Sequence, residues 1–398
     1  MLKTRLEFVP ALDGEFFAQL PAAPAVFELR GEDAGSEPYV TKTANLKRRL
    51  QRLLGEPKEQ SKRLNLRDRV RWVEYTATGS DFESGFLLYR VMREAFPKTY
   101  ADRLHFRFAP LVKLHLDNQY PRASITTRLS PGGSLYYGPF LSRTAAEKFA
   151  NDSLDFFKMR RCVDDLKPDP LFPGCIYSEM KMCLAPCFNG CTDEDYADEV
   201  SRVRKYFESN GESLVREISG QRDQASANLE FEVAAALHSR LDKLHPILAQ
   251  LPEIVRRIDH LDGLMVQPSA DGQCVCFLQI HGGRICNPIP FPIQAAEHAK
   301  SQSMESRVQA ALEGVSLAAS ASSLETMEHL ALLKRWYYRT NRTGEVFFVD
   351  DKGSLPMRRV VRGIARVYHG EKAPVSQTAP VAVQNEPGSL YTPERPPS

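Results

Sequence analysis

Short apolar runs alternate with longer helical patterns along the chain. Near the N-terminus, PAVFELRG and EPYVTK read as two strands joined by the turn-rich GEDAGS, a hairpin pattern. ANLKRRLQRLL then places Leu46, Leu50, Leu53 and Leu54 on one helical face, with the basic residues largely on the other. VRWVEYTA predicts a third strand, and DFESGFLLYRVMREAF a second helix ended by Pro97. Residues 106–160 hold two or three further strand-like runs, the turn PGGS, and a helix from about Thr144 to Lys158.

Residues 162–191 are rich in Pro and Gly and lack hydrophobic periodicity, so something other than an apolar core should hold them; a metal would serve. From Asp193 to Leu251 the pattern is helical and highly charged, predicting two helices in an antiparallel hairpin. Strands return with DGLMVQPS and CVCFLQIHGGRI, turned at Ser269 to Gly272. A helix near 325–338, the strand EVFFVDD and a basic helix near 357–368 follow. Asp350 and Asp351 read as turn residues, because adjacent side chains of an extended chain point to opposite faces. The last residues, rich in Pro, Ser and Val, predict a disordered tail over 372–398. The class is multidomain α+β: a small α/β unit at 1–105, a cysteine-rich metal region within 106–200, a helical hairpin at 201–255 and a C-terminal α+β domain at 256–371.

A length of 398 residues agrees with two to four compact units at about 150 residues each. With 42% hydrophobic and 26% charged residues, a wholly disordered or collagenous chain is excluded. No run of eighteen apolar residues occurs, and acidic residues interrupt the start where a signal peptide needs an apolar core. A cytoplasmic protein without a membrane partner is expected. Net charge is only +2, but residues 41–71 hold eleven basic residues against three acidic ones. That segment attracts a phosphate backbone if its charges share a face, and is otherwise a solvated basic helix.

Five of the eight cysteines fall between 162 and 191: Cys162, Cys175, Cys183 and Cys187, at spacings of 13, 8 and 4, and then Cys191. In a reducing compartment such a cluster points to a metal site. Four thiolates suit zinc or an iron–sulfur cluster, and spacing does not separate the two, although the absence of paired CxxC knuckles weighs against a zinc ribbon. Four ordinary buried thiols are the remaining reading. KRWYYRTNR at 334–342 interleaves cations with aromatics as single-strand binders do, while Trp336 and Tyr337 on a helix equally suit a core.

YYGPFLSRTAAEKFANDSLDFFKMRRC, followed by CLAPCFNGCTDEDYADEVSRVRKYF, resembles the region behind the first nuclease domain of the UvrC family, the incision subunit of bacterial nucleotide excision repair. The resemblance implies that Cys162, Cys175, Cys183 and Cys187 ligate a [4Fe-4S] cluster, with zinc the alternative; Cys191 has no clear counterpart. PAVFELRGEDAGSEPYVTKTANLKRRL is similar to the family's GIY-YIG nuclease opening. ASANLEFEVAAALHSRLDKL resembles the UVR motif, a helical hairpin through which UvrC docks onto UvrB, with His238 and Ser239 where the motif usually has Arg-Asp. CVCFLQIHGGRI resembles the strands introducing the second, RNase H-like nuclease domain. The roughly 110 residues after it are too few for that domain and the helix-hairpin-helix pair behind it. The resemblance runs in order over about 1–290.

A GIY-YIG nuclease uses a tyrosine to activate the nucleophile, an arginine to stabilise the phosphoryl transition state and a glutamate to hold the divalent metal. Here Phe27 replaces the first motif's tyrosine and Thr41 the second motif's glycine, while Tyr39, Lys42 and Arg49 match. Counting back from Pro97, the metal glutamate falls at Leu88, or at Tyr89 with a one-residue gap, and neither binds magnesium. Glu83 and Glu94 on the same helix are displaced by about 7 to 9 Å along its axis. The expectation is therefore a degenerate nuclease domain in which Tyr39, Lys42 and Arg49 are vestigial, with Mg2+ bound only if the nuclease is active. Lys42, Lys47, Arg48, Arg49 and Arg52 would contact DNA. Leu229, Phe231, Leu237 and Leu241 would dock UvrB or a UvrB-like protein. The expected function is a UvrC-like repair protein that binds DNA without efficient incision. An active structure-specific endonuclease, and a metal-stabilised interaction protein unrelated to DNA, are the alternatives.

Overall fold

The computed structural model describes residues 2–33, 35–56, 64–163, 166–294, 302–313, 322–350 and 352–372. Lys58, Lys62, Arg63, Asp351 and the tail from 373 onward lie outside the described residues. The described chain is α+β, with separate antiparallel sheets.

The first sheet contains β1 (Thr4–Glu7), β2 (Ala25–Arg30), β3 (Tyr39–Thr43) and β4 (Trp72–Ala77), in the order β1-β4-β2-β3. Alternation along β2 sends Ala25, Phe27 and Leu29 to one face and Val26 to the other. Helices α1 (Asp13–Gln19) and α2 (Leu46–Leu54) cover the Phe27 face, where Leu46, Leu50, Leu53 and Leu54 are buried as the sequence predicted. Helix α3 (Asp81–Ala95) covers the Val26 face, followed by α4 (Tyr100–Leu104). β1 and α1 were not anticipated: four and seven residues are too few to display a period.

A second sheet, of order β6-β5-β7-β8, joins β5 (Leu111–Leu114), β6 (Ala123–Thr126), β7 (Leu135–Gly138) and β8 (Arg256–Arg257), with α5 (Arg143–Leu154) packed on it. Arg256 and Arg257, expected to open the C-terminal unit, thus pair with Gly138 and Tyr137 instead. The cysteine region holds one short helix, α6 (Ile176–Glu179). Between 193 and 251 the chain forms three helices rather than two: α7 (Asp193–Glu208), α8 (Glu212–Ala227) and α9 (Phe231–Ala249). The extra break is at Asn210 and Gly211, both left-handed at φ 49° and 92°. There, a Cβ on Gly211 would lie 2.2 Å from Leu248 Cδ2, so only glycine fits the turn. α8 and α9 are the predicted antiparallel pair.

The third sheet runs β11-β10-β9-β13, with β12 also on β10. Its strands are β9 (Gly263–Pro268), β10 (Cys274–His281), β11 (Arg284–Ile285), β12 (Ile289–Pro292) and β13 (Glu345–Phe348). Helices α10 (Met304–Leu312) and α12 (Met357–Tyr368) pack on the face of Leu264, Val266, Val275 and Phe277, and α11 (Ser323–Tyr337) joins the core on the face of Met265, Cys276 and Leu278. Among the described residues no helix is long and apolar enough to cross a membrane.

Candidate functional site

Helix α2 opens with Asn45 as its cap, the Oδ1 accepting from Arg48 N at 2.9 Å. This fixes the helix against β3, and Arg49 donates to Tyr39 Oη at 3.0 Å. The Phe27 ring lies 6.2 Å from that of Tyr39 and is fully buried. Where a second hydroxyl was sought, there is packed hydrocarbon. Lys42 is an odd number of residues from Tyr39 on β3 and so faces the other side of the sheet, where it pairs with Asp81 at the start of α3. Arg339 pairs with the same carboxylate. Burial alone would push Asp81 up, but hydrogen bonds from Lys42 and Arg339 hold it below the usual carboxylate range. Of the three family-matched residues, Tyr39 and Arg49 therefore meet, while Lys42 lies on the opposite face of the sheet.

The position of the missing metal ligand is closed from both sides. Leu88 packs with Val26 and Val40. Tyr89 is buried, donating to Glu328 Oε2 at 2.8 Å and accepting from Arg93 at 2.9 Å. Glu83 folds back onto Gly79 N at 2.7 Å, and Glu94 is exposed. Among the described residues no three His, Cys, Asp or Glu side chains are grouped to hold a metal ion.

The basic segment is only partly a surface. Arg48 and Arg52 are exposed on α2 and Lys47 is half-buried. Arg67 is turned inward, donating to Asp13 Oδ2 at 2.6 Å, Leu54 O at 2.9 Å and Pro10 O at 2.6 Å. The aromatics of the KRWYYRTNR stretch belong to the core: Trp336 is buried with its Nε1 donating to Thr343 O at 3.0 Å, and Arg342 covers Tyr337 at 4.6 Å. Asp350 is a turn residue as read, its Oδ1 accepting from the backbone N of Lys352 and Ser354.

The cysteine loop has little apolar core. Val163, Leu171, Phe172, Ile176 and Met180 are all exposed, while Cys162, Cys175, Cys183 and Cys187 are half-buried. Burial pushes the Cys183 thiol up to about 11, and Cys162, Cys187 and Cys175 push it the same way. Two donors reach the sulfurs: Arg160 NH1 to Cys162 Sγ, and Ala185 N to Cys183 Sγ, each at 3.3 Å. Arg160 is itself buried and anchored on Tyr120 O at 2.9 Å. A buried guanidinium and a backbone N–H thus each approach one sulfur and would compensate thiolate charge there, while among the described residues no three of the cysteines are grouped to hold an ion. Cys191 lines a cleft with Asp195, Asp198 and Arg202; burial pushes its thiol up, and Asp195, Asp193 and Cys187 push it the same way.

At the α8–α9 tip, Leu229 takes a left-handed φ of 62° and, with Phe231 and Val233, is exposed. Leu237 is half-buried, and Leu241 is 3% exposed within the chain's own core; it cannot contribute to the docking surface expected of it. Sequence reasoning also missed Glu328, Asp81, Arg339 and Arg160. A carboxylate beside Met327 within an apolar helical stripe was the available signal for Glu328.

Residues 110–206, from β5 into α7 and including all five clustered cysteines, match the UvrC/Cho excinuclease middle domain family. This stretch is what the chain shares with excinuclease middle domains. It is 27% identical to the UvrABC system protein C of Rickettsia felis over 270 residues, covering 67% of this chain and 41% of that protein. It is 28% identical to the Rickettsia canadensis protein of that name over 260 residues, covering 64% and 40%. The chain is similar to these proteins along about two thirds of its own length, and the match spans about two-fifths of the length of these relatives. No solved structure matches it significantly.

Proposed function

We propose that this protein acts in nucleotide excision repair as a UvrC-like factor that binds DNA and docks UvrB or a UvrB-like protein, with its GIY-YIG-like domain impaired as a nuclease. The similarity to UvrABC system protein C supports the process. The observation that carries the impairment is the environment of α3: half-buried Leu88 packs against Val26 and Val40, and buried Tyr89 donates to Glu328, so no carboxylate occupies either matched position. Without the divalent ion, phosphodiester cleavage loses several kcal/mol of transition-state stabilisation, about three or more powers of ten in rate. Lys47, Arg48 and Arg52 on α2 remain available for phosphate contacts. Leu229 and Phe231 form the exposed part of the docking tip.

Cys162, Cys175, Cys183 and Cys187 would hold a [4Fe-4S] cluster, with zinc the alternative; either ties together a loop that has little apolar core. Anaerobically purified protein should carry iron and absorb near 400 nm, whereas stoichiometric zinc without that absorbance would replace the cluster with a single ion. The decisive experiment is a nicking assay on bubble or lesion-bearing DNA with Mg2+ or Mn2+. Binding without incision is expected. Metal-dependent nicking that disappears in Arg49→Ala would instead establish a working structure-specific endonuclease.

A further inference from the structure

Helix α12 is amphipathic in a way that the functional reading has not used. Val360, Ile364 and Val367 bury one face against the third sheet. Gly363 brings the helix so close that a Cβ there would lie 2.2 Å from Phe347 Cζ, so the helix is rigidly seated. The opposite face presents Arg358, Arg359 and Arg362, all exposed. From Lys352 to Arg362 the chain holds four basic residues and no acidic one. Arg366, one turn further, is already neutralised by a two-pronged pair with buried Glu345, at 2.7 Å on each oxygen. Arg359 has only a 3.5 Å approach to Glu253, and among the described residues Arg358 and Arg362 make no ion pair.

The placement of these cations opposes local stability. α12 begins Met357-Arg358-Arg359 with no acidic residue in its first turn and no side-chain cap, so two guanidinium groups sit at the positive end of the helix dipole. Unneutralised N–H groups and arginines together form a field that favours anions with spaced negative charges. Arg358 and Arg362 are four residues apart and share one side of the helix, about 6 Å along its axis, close to the spacing of successive phosphates on a nucleic-acid strand.

We propose that the exposed face of α12 is a second phosphate-backbone contact surface for DNA, on a different sheet from the α2 face; this rests on the DNA-binding reading above. The chemistry is charge neutralisation without base readout, so it adds affinity and salt dependence but no sequence preference.

The test uses the full chain and a labelled duplex, with binding measured across a KCl series. The pair Arg358→Gln and Arg362→Gln should weaken binding at least about ten-fold at low salt and lower the log–log salt slope by about two. Arg358→Lys with Arg362→Lys should retain both, and the thermal midpoint should be unchanged because neither side chain enters the core. Unaltered affinity and slope in the Gln pair, with both reduced by Lys47→Ala and Arg48→Ala, would overturn the α12 surface and leave the DNA-binding reading standing. Absence of binding by the unmodified protein at low salt would remove both.

Discussion

His329 shows how a single buried side chain sets pH behaviour. It sits 5.4 Å from the rings of both Phe86 and Tyr89, its Nδ1 accepts from Ile285 N at 3.0 Å, and Nε2 is 4.0 Å from Glu325. Burial pushes the imidazole down to about 4; Glu325 opposes this, and Arg93, Arg284 and Arg90 add to it. Protonating Nδ1 would also break the bond from Ile285. Because the folded pKa lies below the unfolded value, the unfolded chain takes up a proton first as pH falls. The stability contributed by neutral His329 is therefore complete above about pH 6.5 and is lost progressively toward pH 4, a change of about 3 kcal/mol at most. Urea unfolding at pH 7, 5 and 4 should show a shallower loss in His329→Gln than in the unmodified protein. Equal slopes would mean that His329 does not carry the effect.

Helices differ in how openly they announce themselves. In α2 the buried positions Leu46, Leu50, Leu53 and Leu54 follow one face, and in α12 the bounds coincide with the run from Met357 to Tyr368, so period alone located both. The α7–α8 break was hidden because a charged helical pattern continues across it, and only Asn210-Gly211 marked the reversal. Likewise, the apolar stripe of α9 did not reveal that its C-terminal part, Leu241 and Leu244, is occupied by the chain's own core while its N-terminal tip is exposed. That division makes a prediction. Phe231→Glu, at a position 66% exposed, should leave the thermal midpoint nearly unchanged, within about 0.5 kcal/mol, and abolish capture of UvrB. Leu241→Ala should instead cost about 2 to 5 kcal/mol. UvrB capture lost equally by a Phe231→Leu variant would show that shape at the tip, rather than its apolar character, governs docking.

Across the whole molecule, α3 is shared between two units that composition and local pattern treat as separate. At its start Asp81 lies between Lys42 and Arg339, and Gly79 approaches so closely that a Cβ there would lie 2.2 Å from Pro268 O. Further along, Phe82 meets Trp336 edge-on at 5.7 Å, and Tyr89 and Tyr100 both donate to Glu328, at 2.8 and 2.6 Å. These partners are more than two hundred residues apart in the chain, which is why the sequence reading found α3 and α11 as helices but not their contact. The role of Glu328 was hidden for the same reason: its two hydroxyl donors lie more than two hundred residues away in the chain. The first sheet and the third should then unfold together, in one calorimetric transition. Replacing Glu328 with Ala leaves the hydroxyls of buried Tyr89 and half-buried Tyr100 without their acceptor, at a cost of about 1 to 3 kcal/mol, and Arg339→Ala removes the outer ion pair as well. In the double variant the cost falls on the junction while each unit keeps its own core, so the transition should split in two and protease should cut between the units. A single transition, lowered but unsplit, would mean that the Phe82–Trp336 and Phe86–His329 packing suffices to hold the halves together.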